Sequence, residues 1–544
     1  MRTYRAGVAI LVALCACGGG QGARRGTGTD AAWDGSGPEP DWGTTYYVRS
    51  DGGNVDQCDG TANVSYPGSG TGLRCAWQHP FFALPPGGRP RIAGGDRLII
   101  GPGAYRMGLG APGADGCDAS DPWDCTAAAI PSGPDAEHPT RIVGAGYDTG
   151  CASPPTLHGV ERASHVLSLV KTRHARVECL EITDFAPCVE HHPTIPCERD
   201  SAPFGEWAAD GILAVDAAAI TLRHLNIHGL ATAGVRAGRL ADIVLEDVRI
   251  AANGWVGWEG DLGEPSSNSG TLRFTRVVVE WNGCGENQGK PTGCWGQSAG
   301  GYGDGLGTAT TAGDWIFESS SFLHNTSDGL DLLYLQGGTV RIDGMRAEGN
   351  AGNQIKTRGP ATITNSVVVG NCGYFRGKPF SHQVDDCRAM GNAISLEMGA
   401  GDRVVLANNT VYSEGDCLIV AESERCSGAA RLWARNNVFL GGRDFLQPAE
   451  RSCLVYSGCQ SISQDMDYNA IHGVKESPCP VGSSDRCTDP LLEDSRPESF
   501  NGRLKPGSPA RESGLSVGGD IPARDIDGKS RPVGGGVDRG AYEQ

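Results

Sequence analysis

Four charged residues in one short segment could form a metal site with a base beside it. Asp304 stands alone, Asp328 and Asp331 are three residues apart, and Lys356 follows one strand-rich segment later. Carboxylate oxygens are hard ligands that suit Ca²⁺, which tolerates irregular coordination. A lysine beside such a cation should lose its proton more easily, because like charges repel. The residue types therefore predict a calcium site with a lysine that can take a proton from a carbon next to a carboxylate.

A repeat of short strands must position these side chains. Each copy has an alternating strand, a polar step and a second short strand, as in AITLRHLNIHG from Ala219. The equivalent apolar positions are Leu222, Leu245, Phe274, Phe317, Ile342, Ile363, Leu406 and Trp433. Most spacings lie in the twenties, and two spacings of 43 fit either two turns or one turn with a loop. This period without a helical half predicts an all-β fold, a parallel β-helix whose rungs must stack to bury their inner faces.

A second series of turns places the charged residues relative to one another. The apolar positions of this series that lie closest to them are Leu306, Leu330 and Ile355. In-register stacking turns each following residue outward, so Gly307, Asp331 and Lys356 would share one outward column. Asp304 and Asp328 come two residues before the apolar positions, where strict alternation would turn them inward. We therefore expect them in the turns before the strands, where alternation does not yet apply.

The segment from Asp304 onward resembles the polysaccharide lyase family 9 pectate lyases. These carry a DG rung, then N-S-D-D-G-W-D-L, then G-N-G-F-K, and here the chain reads DGL, NTSDGLDL and GNAGNQIK. The resemblance implies a right-handed parallel β-helix in which Asp304, Asp328 and Asp331 bind calcium. It also implies that Lys356 is the base and that an acidic, pectate-like polysaccharide is cleaved by β-elimination.

Departures from the family pattern keep a second interpretation open. Ser327 stands where the family has an additional Asp ligand, and Leu330 replaces its Trp. Asp-Gly and Asn-Gly pairs also recur at turns for backbone reasons, so the acidic column could be a hydrogen-bonding ladder. The alternative function is a non-catalytic, surface-anchored β-helix that binds glycans or another cell. Arg358 shares the strand face of Lys356 and could bind a uronate carboxylate, or it could be solvated or pair with Asp331.

The N-terminal residues predict export. A basic start, an apolar run and the sequence LCAC resemble a bacterial lipoprotein signal, which implies cleavage before Cys17 and lipid attachment there. We expect residues 1–16 to be the signal, 17–45 a flexible tether and 46–544 the β-helix with its end caps. The expected location is the cell envelope, at the outer membrane or cell surface, with the lipid as the only membrane attachment. An ordinary cleaved secretory signal is the alternative.

The charge of the chain narrows the class of partner. A formal net charge of −18 disfavours nucleic acid, whose phosphates need Lys and Arg. It also disfavours an acidic polysaccharide unless a cation bridges the two, which is the arrangement that the calcium site would provide. We expect an acidic polysaccharide as the partner and a monomeric chain.

The cysteines also indicate an exported protein. Of the 20 cysteines, the 18 that remain after Cys15 and Cys17 fall in close sequence pairs. In an oxidising compartment, bridges between neighbours are expected. The expected pairs are Cys58/Cys75, Cys117/Cys125, Cys151/Cys179, Cys188/Cys197, Cys284/Cys294, Cys372/Cys387, Cys417/Cys426, Cys453/Cys459 and Cys479/Cys487.

Overall fold

Parallel sheets wind around one apolar core through most of the chain. The computed structural model describes residues 43–198, 202–263, 267–296, 302–423, 428–475 and 479–544. These residues form a right-handed parallel β-helix, as the sequence predicts. Each rung crosses up to three faces, and the strands of a face pair in parallel with those of the rungs before and after.

The strands sort by face, and two long strands, Arg173–Thr183 and Ala218–His228, run across both the first and the second face. The other strands of the first face are Thr45–Gly53, Arg97–Ile100, Thr140–Gly144, Ala241–Glu246, Ser269–Thr275, Asp314–Glu318, Val340–Asp343, Ala361–Thr364, Arg403–Ala407, Ala430–Arg435 and Ile462–Asp467. The other strands of the second face are Ala104–Met107, Thr156–Gly159, Arg249–Ala251, Val278–Glu280, Ser321–Leu323, Arg346–Glu348, Val367–Gly370, Thr410–Ser413, Val438–Gly441 and Ala470–His472. The strands of the third face are Ala163–Ser168, Ala208–Val215, Ala233–Gly238, Val256–Gly260, Leu306–Thr308, Leu330–Leu332, Ile355–Arg358, Ile394–Glu397, Cys417–Glu422 and Cys453–Tyr456.

Short elements decorate this solenoid. In the part of the chain that the structure describes, three two-stranded sheets lie outside the three faces: Gly285–Asn287 with Lys290–Thr292, Cys294–Trp295 with Ser381–Gln383, and Leu492–Asp494 with Asn501–Leu504. The 3₁₀ helices among the described residues are Pro80–Phe82, Pro122–Asp124, Arg388–Gly391 and Pro497–Ser499. The described residues contain no helix with the length and apolar character that crossing a membrane requires.

The predicted apolar column is confirmed at seven of its eight positions. Leu222, Leu245, Phe274, Phe317, Ile342, Ile363 and Leu406 pair in register along the first face. The prediction for Trp433 is wrong, because Ala434 takes the place beside Leu406. Trp433 instead turns outward beneath the guanidinium groups of Arg403 and Arg435. Alternation alone does not fix which of two adjacent apolar residues faces the core.

The two long spacings are single turns with an inserted loop. Phe274 pairs directly with Phe317, and Ile363 pairs directly with Leu406. The additional residues therefore form loops on the outside of the rung. The second loop contains the disulfide Cys372–Cys387 and ends beside the third face.

Packing inside the rungs holds the third face in place. The rings of Phe274 and Phe317 stack with centroids 4.9 Å apart, and Trp258 meets Phe274 edge-on at 5.5 Å. Each of these side chains is almost completely buried, and burying one large apolar side chain contributes about 1.5–3 kcal/mol. Trp258 on the third face is therefore packed against aromatic side chains of the first face.

A buried asparagine ladder fixes the turn that leads into the third face. The Asn253 Nδ2 donates to Asn282 Oδ1 at 2.9 Å, Asn282 to Asn325 at 2.9 Å, and Asn325 to Asn350 at 2.8 Å. All four side chains are fully buried. A buried amide is stable only when its hydrogen bonds are made. The ladder therefore sets the position of Asp328, which follows Asn325 by three residues.

Most of the predicted disulfides are confirmed, and two are wrong. Seven of the expected neighbour pairs are bonded, the exceptions being Cys417/Cys426 and Cys453/Cys459. Cys417 bonds Cys453 instead, because the two lie side by side on adjacent strands of the third face. Cys459 is also disulfide-bonded, and Cys426 lies outside the described residues. This disulfide density is typical of an exported protein.

The predictions for the N-terminus fall on residues that the structure does not describe. The signal at 1–16, the lipid site Cys17 and nearly all of the tether lie outside the described residues. The first strand already begins at Thr45, which the prediction assigned to the tether. These assignments therefore stay predictions.

Candidate active site

The register predicted for the third face is confirmed around the charged residues. Leu306 pairs with Leu330, and Leu330 with Ile355, and all three are fully buried. The following residues form the outward column, in which Asp331 pairs with Lys356. Because parallel strands lie about 4.8 Å apart, outward side chains on successive rungs are within reach of one another.

Asp304 and Asp328 lie in the turns before the strands, as expected, and each carboxylate supports the next rung. The backbone N–H of Asp328 donates to Asp304 Oδ1 at 2.8 Å. The backbone and side-chain N–H groups of Asn353 donate to Asp328 Oδ1 at 2.6 and 2.9 Å. Asn392 continues the series by donating its backbone N–H to Asn353 Oδ1 at 3.1 Å. The acidic column is therefore a hydrogen-bonding ladder, but the ladder uses only one oxygen of each carboxylate.

Lys356 meets the remaining oxygens of two carboxylates. Its Nζ donates to Asp328 Oδ2 at 3.0 Å and to Asp331 Oδ2 at 2.8 Å. One carboxylate oxygen from each of Asp304, Asp328 and Asp331 lies within 4.8 Å of the others. The structure thus brings together all three predicted metal ligands and the predicted base.

The ionisation of this cluster is dominated by burial and by an excess of negative charge. Burial and the charges of Asp328 and Asp331 raise the pKa of Asp304 well above its ordinary value, against a hydrogen bond from Ser327. Burial and the charge of Asp328 also raise the pKa of Asp331 to about 6. For Asp328, burial is outweighed by the charge of Lys356 and the Asn353 hydrogen bonds, so its pKa is lowered.

The pKa of Lys356 is raised in this metal-free cluster. Burial alone would lower it, but the charges of Asp328 and Asp331 and their hydrogen bonds outweigh burial. The predicted fall of this pKa applies only with a cation on the carboxylates. Without one, Lys356 stays protonated and cannot act as a base.

Gly307 stands directly beside one carboxylate oxygen of Asp304. This glycine stands between Glu259 and Asp331 in the outward column. A Cβ at this position would lie 2.9 Å from Asp304 Oδ2, which is closer than carbon and oxygen normally approach. The absence of a side chain therefore leaves a gap in the column directly beside Asp304.

The cluster lies in an open cleft of about 580 Å³. Besides the four charged residues, its walls include Arg236, Glu259, Tyr302, Tyr334 and Arg388, none of which sequence reasoning singled out. Trp255 also lines the cleft, whereas Trp258 is a core residue. Arg388 had a weak sequence signal, since it directly follows the last cysteine of a loop.

Arg358 does not line the cleft. It lies at the end of the strand Ile355–Arg358, in register with Glu397 on the next rung. Its predicted role in substrate binding stays a prediction.

The donor set fits a divalent cation. Three clustered carboxylates face one lysine, so the site carries more buried negative charge than the protein compensates, and oxygen ligands of this kind suit Ca²⁺. Ser327 supplies a hydroxyl rather than a fourth carboxylate, and this hydroxyl accepts a hydrogen bond from Arg388 Nη1 at 2.5 Å. Asp304, Asp328 and Asp331 are therefore the residues that would hold the ion.

Comparison with known proteins shows only distant structural likeness. No profile of a protein family and no curated protein matches the chain. It is similar to the pectate lyase Pel9A, with 16% identity and a TM-score of 0.43 over 92% of this chain and 96% of that one. It is also similar to the PL6 family alginate lyase AlyGC, with 12% identity and a TM-score of 0.37. This match covers 80% of this chain and 58% of the alginate lyase. An alginate lyase from Paenibacillus sp. str. FPU-7 matches with 13% identity and a TM-score of 0.30. The match covers 69% of this chain and 92% of that alginate lyase.

Proposed function

We propose that the protein is a calcium-dependent lyase that cleaves an acidic, pectate-like polysaccharide by β-elimination. One observation carries the proposal: the Lys356 amine lies 2.8–3.0 Å from two of three clustered carboxylates in an open cleft. A base, a donor set for a cation and room for a polymer occur together at this place.

β-Elimination needs a base and a cation that binds the substrate carboxylate, and these residues can supply the base and hold the cation. The Lys356 amine takes the proton from the carbon next to a uronate carboxylate. The electron pair of the broken carbon–hydrogen bond forms a double bond to the adjacent ring carbon. At the same time, the bond between that adjacent carbon and the glycosidic oxygen breaks. The leaving oxygen takes up a proton from water. Asp304, Asp328 and Asp331 would hold the cation.

A bound cation would supply positive charge that favours both deprotonation of Lys356 and removal of the proton from the substrate. When bound, Ca²⁺ would compete with Lys356 for Asp328 and Asp331, lower the pKa of the amine, and stabilise the negative charge that develops on the substrate carboxylate. Without it, the two carboxylates keep Lys356 protonated. Activity is therefore expected only in the presence of a divalent cation.

The direct test is product formation. The wild-type protein with polygalacturonate and calcium should form an unsaturated product that absorbs in the ultraviolet, and a chelator should stop it. The Lys356→Ala variant should form none at a comparable protein concentration and a similar melting temperature. Wild-type protein without product, or equal product from the variant, contradicts the proposal.

The hydrogen-bonding ladder favours a second candidate, a non-catalytic scaffold that binds glycans. Asp304 and Asp328 each support the next rung, and a column of this kind would be kept for stability alone. Calcium titration separates the two: a lyase site should be stabilised by calcium, by about 2.7 kcal/mol at a hundredfold excess over Kd. The Asp328→Asn variant should lose this effect. A scaffold should show no calcium stabilisation in either protein.

Lipid attachment at Cys17 and a location at the outer membrane or cell surface belong to the proposal as well. Mass spectrometry of the N-terminal peptide from a bacterial membrane fraction tests them. A lipid-modified Cys17 at the N-terminus is expected, and an unmodified mature N-terminus elsewhere contradicts it.

A further inference from the structure

Arg388 occupies a position in the cleft that no prediction assigned. It lines the same cleft as Asp328, Asp331 and Lys356. It lies outside the strands of the third face, in the short 3₁₀ helix Arg388–Gly391 that follows the second inserted loop. It is therefore brought to the cluster by the loop rather than by the repeat.

The charges of the other two cations in the cleft are already paired. Arg236 donates to both oxygens of Asp210, from Nε to Oδ2 at 2.6 Å and from Nη2 to Oδ1 at 3.3 Å. Lys356 donates to Asp328 and Asp331. Arg388, in contrast, meets a neutral hydroxyl, that of Ser327, at 2.5 Å. Within the described residues, no carboxylate forms an ion pair with the Arg388 guanidinium.

The position of Arg388 is fixed from two sides. The preceding residue, Cys387, is bonded to Cys372. The backbone N–H of Arg388 donates to the carbonyl of Ala351 at 2.9 Å, in the rung that contains Lys356. With its Nη1 held by Ser327, the guanidinium is ordered before any ligand binds, so less entropy is lost on binding.

We propose that Arg388, rather than Arg358, binds a carboxylate of the polysaccharide in the cleft. The inference rests on the proposed function and names the feature of the substrate that the site selects. A guanidinium offers parallel N–H donors that match the two oxygens of a carboxylate. A methyl ester removes the charge and one of these acceptors. The cleft should therefore discriminate free uronates from esterified ones through Arg388.

The experiment measures binding separately from cleavage. All proteins carry Lys356→Ala to prevent turnover, and retardation is measured in gels that contain polygalacturonate or its methyl ester, with calcium present. Arg388→Gln should weaken binding to polygalacturonate by about tenfold, as expected for loss of a charge-assisted pair, and should leave binding to the methyl ester unchanged. The affinity of Arg388→Lys for polygalacturonate should lie between that of Arg388→Gln and that of the parent.

The matched control is Arg376→Gln. Arg376 lies on the same disulfide loop, is largely exposed and pairs with Asp386 outside the cleft, so this variant should bind both polymers like its parent. Unchanged binding of polygalacturonate by Arg388→Gln, or an equal loss for both polymers, overturns the inference. The inference is also overturned if the Lys356→Ala parent does not bind polygalacturonate.

Failure of the inference and failure of the proposed function are distinguishable. If wild-type protein forms no unsaturated product but Arg388→Gln loses polygalacturonate selectively, the cleft is a uronate-binding site without lyase activity. If product forms and Arg388→Gln keeps its selectivity, the lyase function stands and the carboxylate is bound elsewhere.

Discussion

Two places on the third face use the same arrangement of an acid and a cation, with different consequences. At both, an aspartate that is followed by glycine meets an outward cation on the following rung: Asp210 with Arg236, and Asp328 with Lys356. Asp210 lies inside the strand Ala208–Val215, whereas Asp328 lies just before the strand Leu330–Leu332. What differs is the cation and the number of carboxylates hydrogen-bonded to it, which is one for Arg236 and two for Lys356.

At the first place one carboxylate forms an ion pair with one guanidinium. Asp210 has one guanidinium, and it also accepts hydrogen bonds from the Thr232 hydroxyl at 2.5 Å and the backbone N–H of Ala233 at 3.3 Å. Arginine cannot lose its proton in a protein, so this pair can only stabilise the structure. It shows what an Asp-Gly pair beside a cation provides for structural reasons.

The second place is unbalanced. Lys356 is shared by Asp328 and Asp331, and Asp304 adds a third carboxylate within 4.8 Å. Lysine, unlike arginine, can be deprotonated when its surroundings change. An Asp-Gly pair beside a cation therefore does not by itself make a site. The chemistry also requires Asp331 on the same rung as Asp328, Asp304 on the preceding rung, and a cation that can release its proton.

The largest effect is expected from making the second place resemble the first. Lys356→Arg keeps a cation beside Asp328 but removes the base, so product formation should fall by at least about 10²-fold, the lower range for loss of a general base. The reciprocal variant Arg236→Lys should keep its activity within about threefold, because the base is untouched. Initial rates on polygalacturonate with calcium measure both. A Lys356→Arg variant as active as wild type would remove Lys356 from the mechanism.

A smaller effect is expected in the pH dependence of stability. In the folded, metal-free protein the pKa of Asp331 is about 6, above its ordinary value of 3.8. A carboxyl with a raised folded pKa stabilises the fold fully below the unfolded pKa, and this contribution is lost as the pH rises through the folded pKa. The free energy of unfolding of wild type relative to Asp331→Asn should therefore fall by up to about 3 kcal/mol between about pH 4 and about pH 7.

Chemical denaturation in a chelating buffer measures this difference. Saturating calcium should reduce the fall, because a cation favours the ionised carboxylate. If the free energy of unfolding of wild type relative to Asp331→Asn stays constant or rises with pH, the excess of negative charge around Asp328, Asp331 and Lys356 is contradicted.

The smallest effect is expected from filling the gap in the outward column. A Cβ in Gly307→Ala would lie 2.9 Å from Asp304 Oδ2, so calcium stabilisation should weaken by about 1 kcal/mol or more. Gly116→Ala is the control, since its Cβ would meet nothing nearer than 3.6 Å. Thermal unfolding with and without calcium measures both. Equal calcium stabilisation in Gly307→Ala and wild type would place the ion away from Asp304.

Much of the candidate site could be predicted because it lies on the repeat. The alignment of Asp331 with Lys356 follows from the alternation of Leu330 and Ile355, and the structure has the same register. Arg388 could not be found in this way, since a loop of variable length carries it to the cleft. The pattern could not place Trp433 either, because Trp433 and Ala434 are adjacent apolar residues and alternation is compatible with either one facing the core.

The β-helix, the register around Asp331 and Lys356 and seven disulfides could be predicted, because periodicity and short sequence separation identify these contacts. The folded structure was needed to show that Cys417 bonds Cys453, that Arg388 reaches Ser327, and that the metal-free carboxylates hold Lys356 protonated. In the first two cases the partners are separated by loops whose length carries no periodic signal, and in the third the burial of the cluster sets the charge state. Local patterns therefore specify the scaffold, and packing specifies the charge balance of the site.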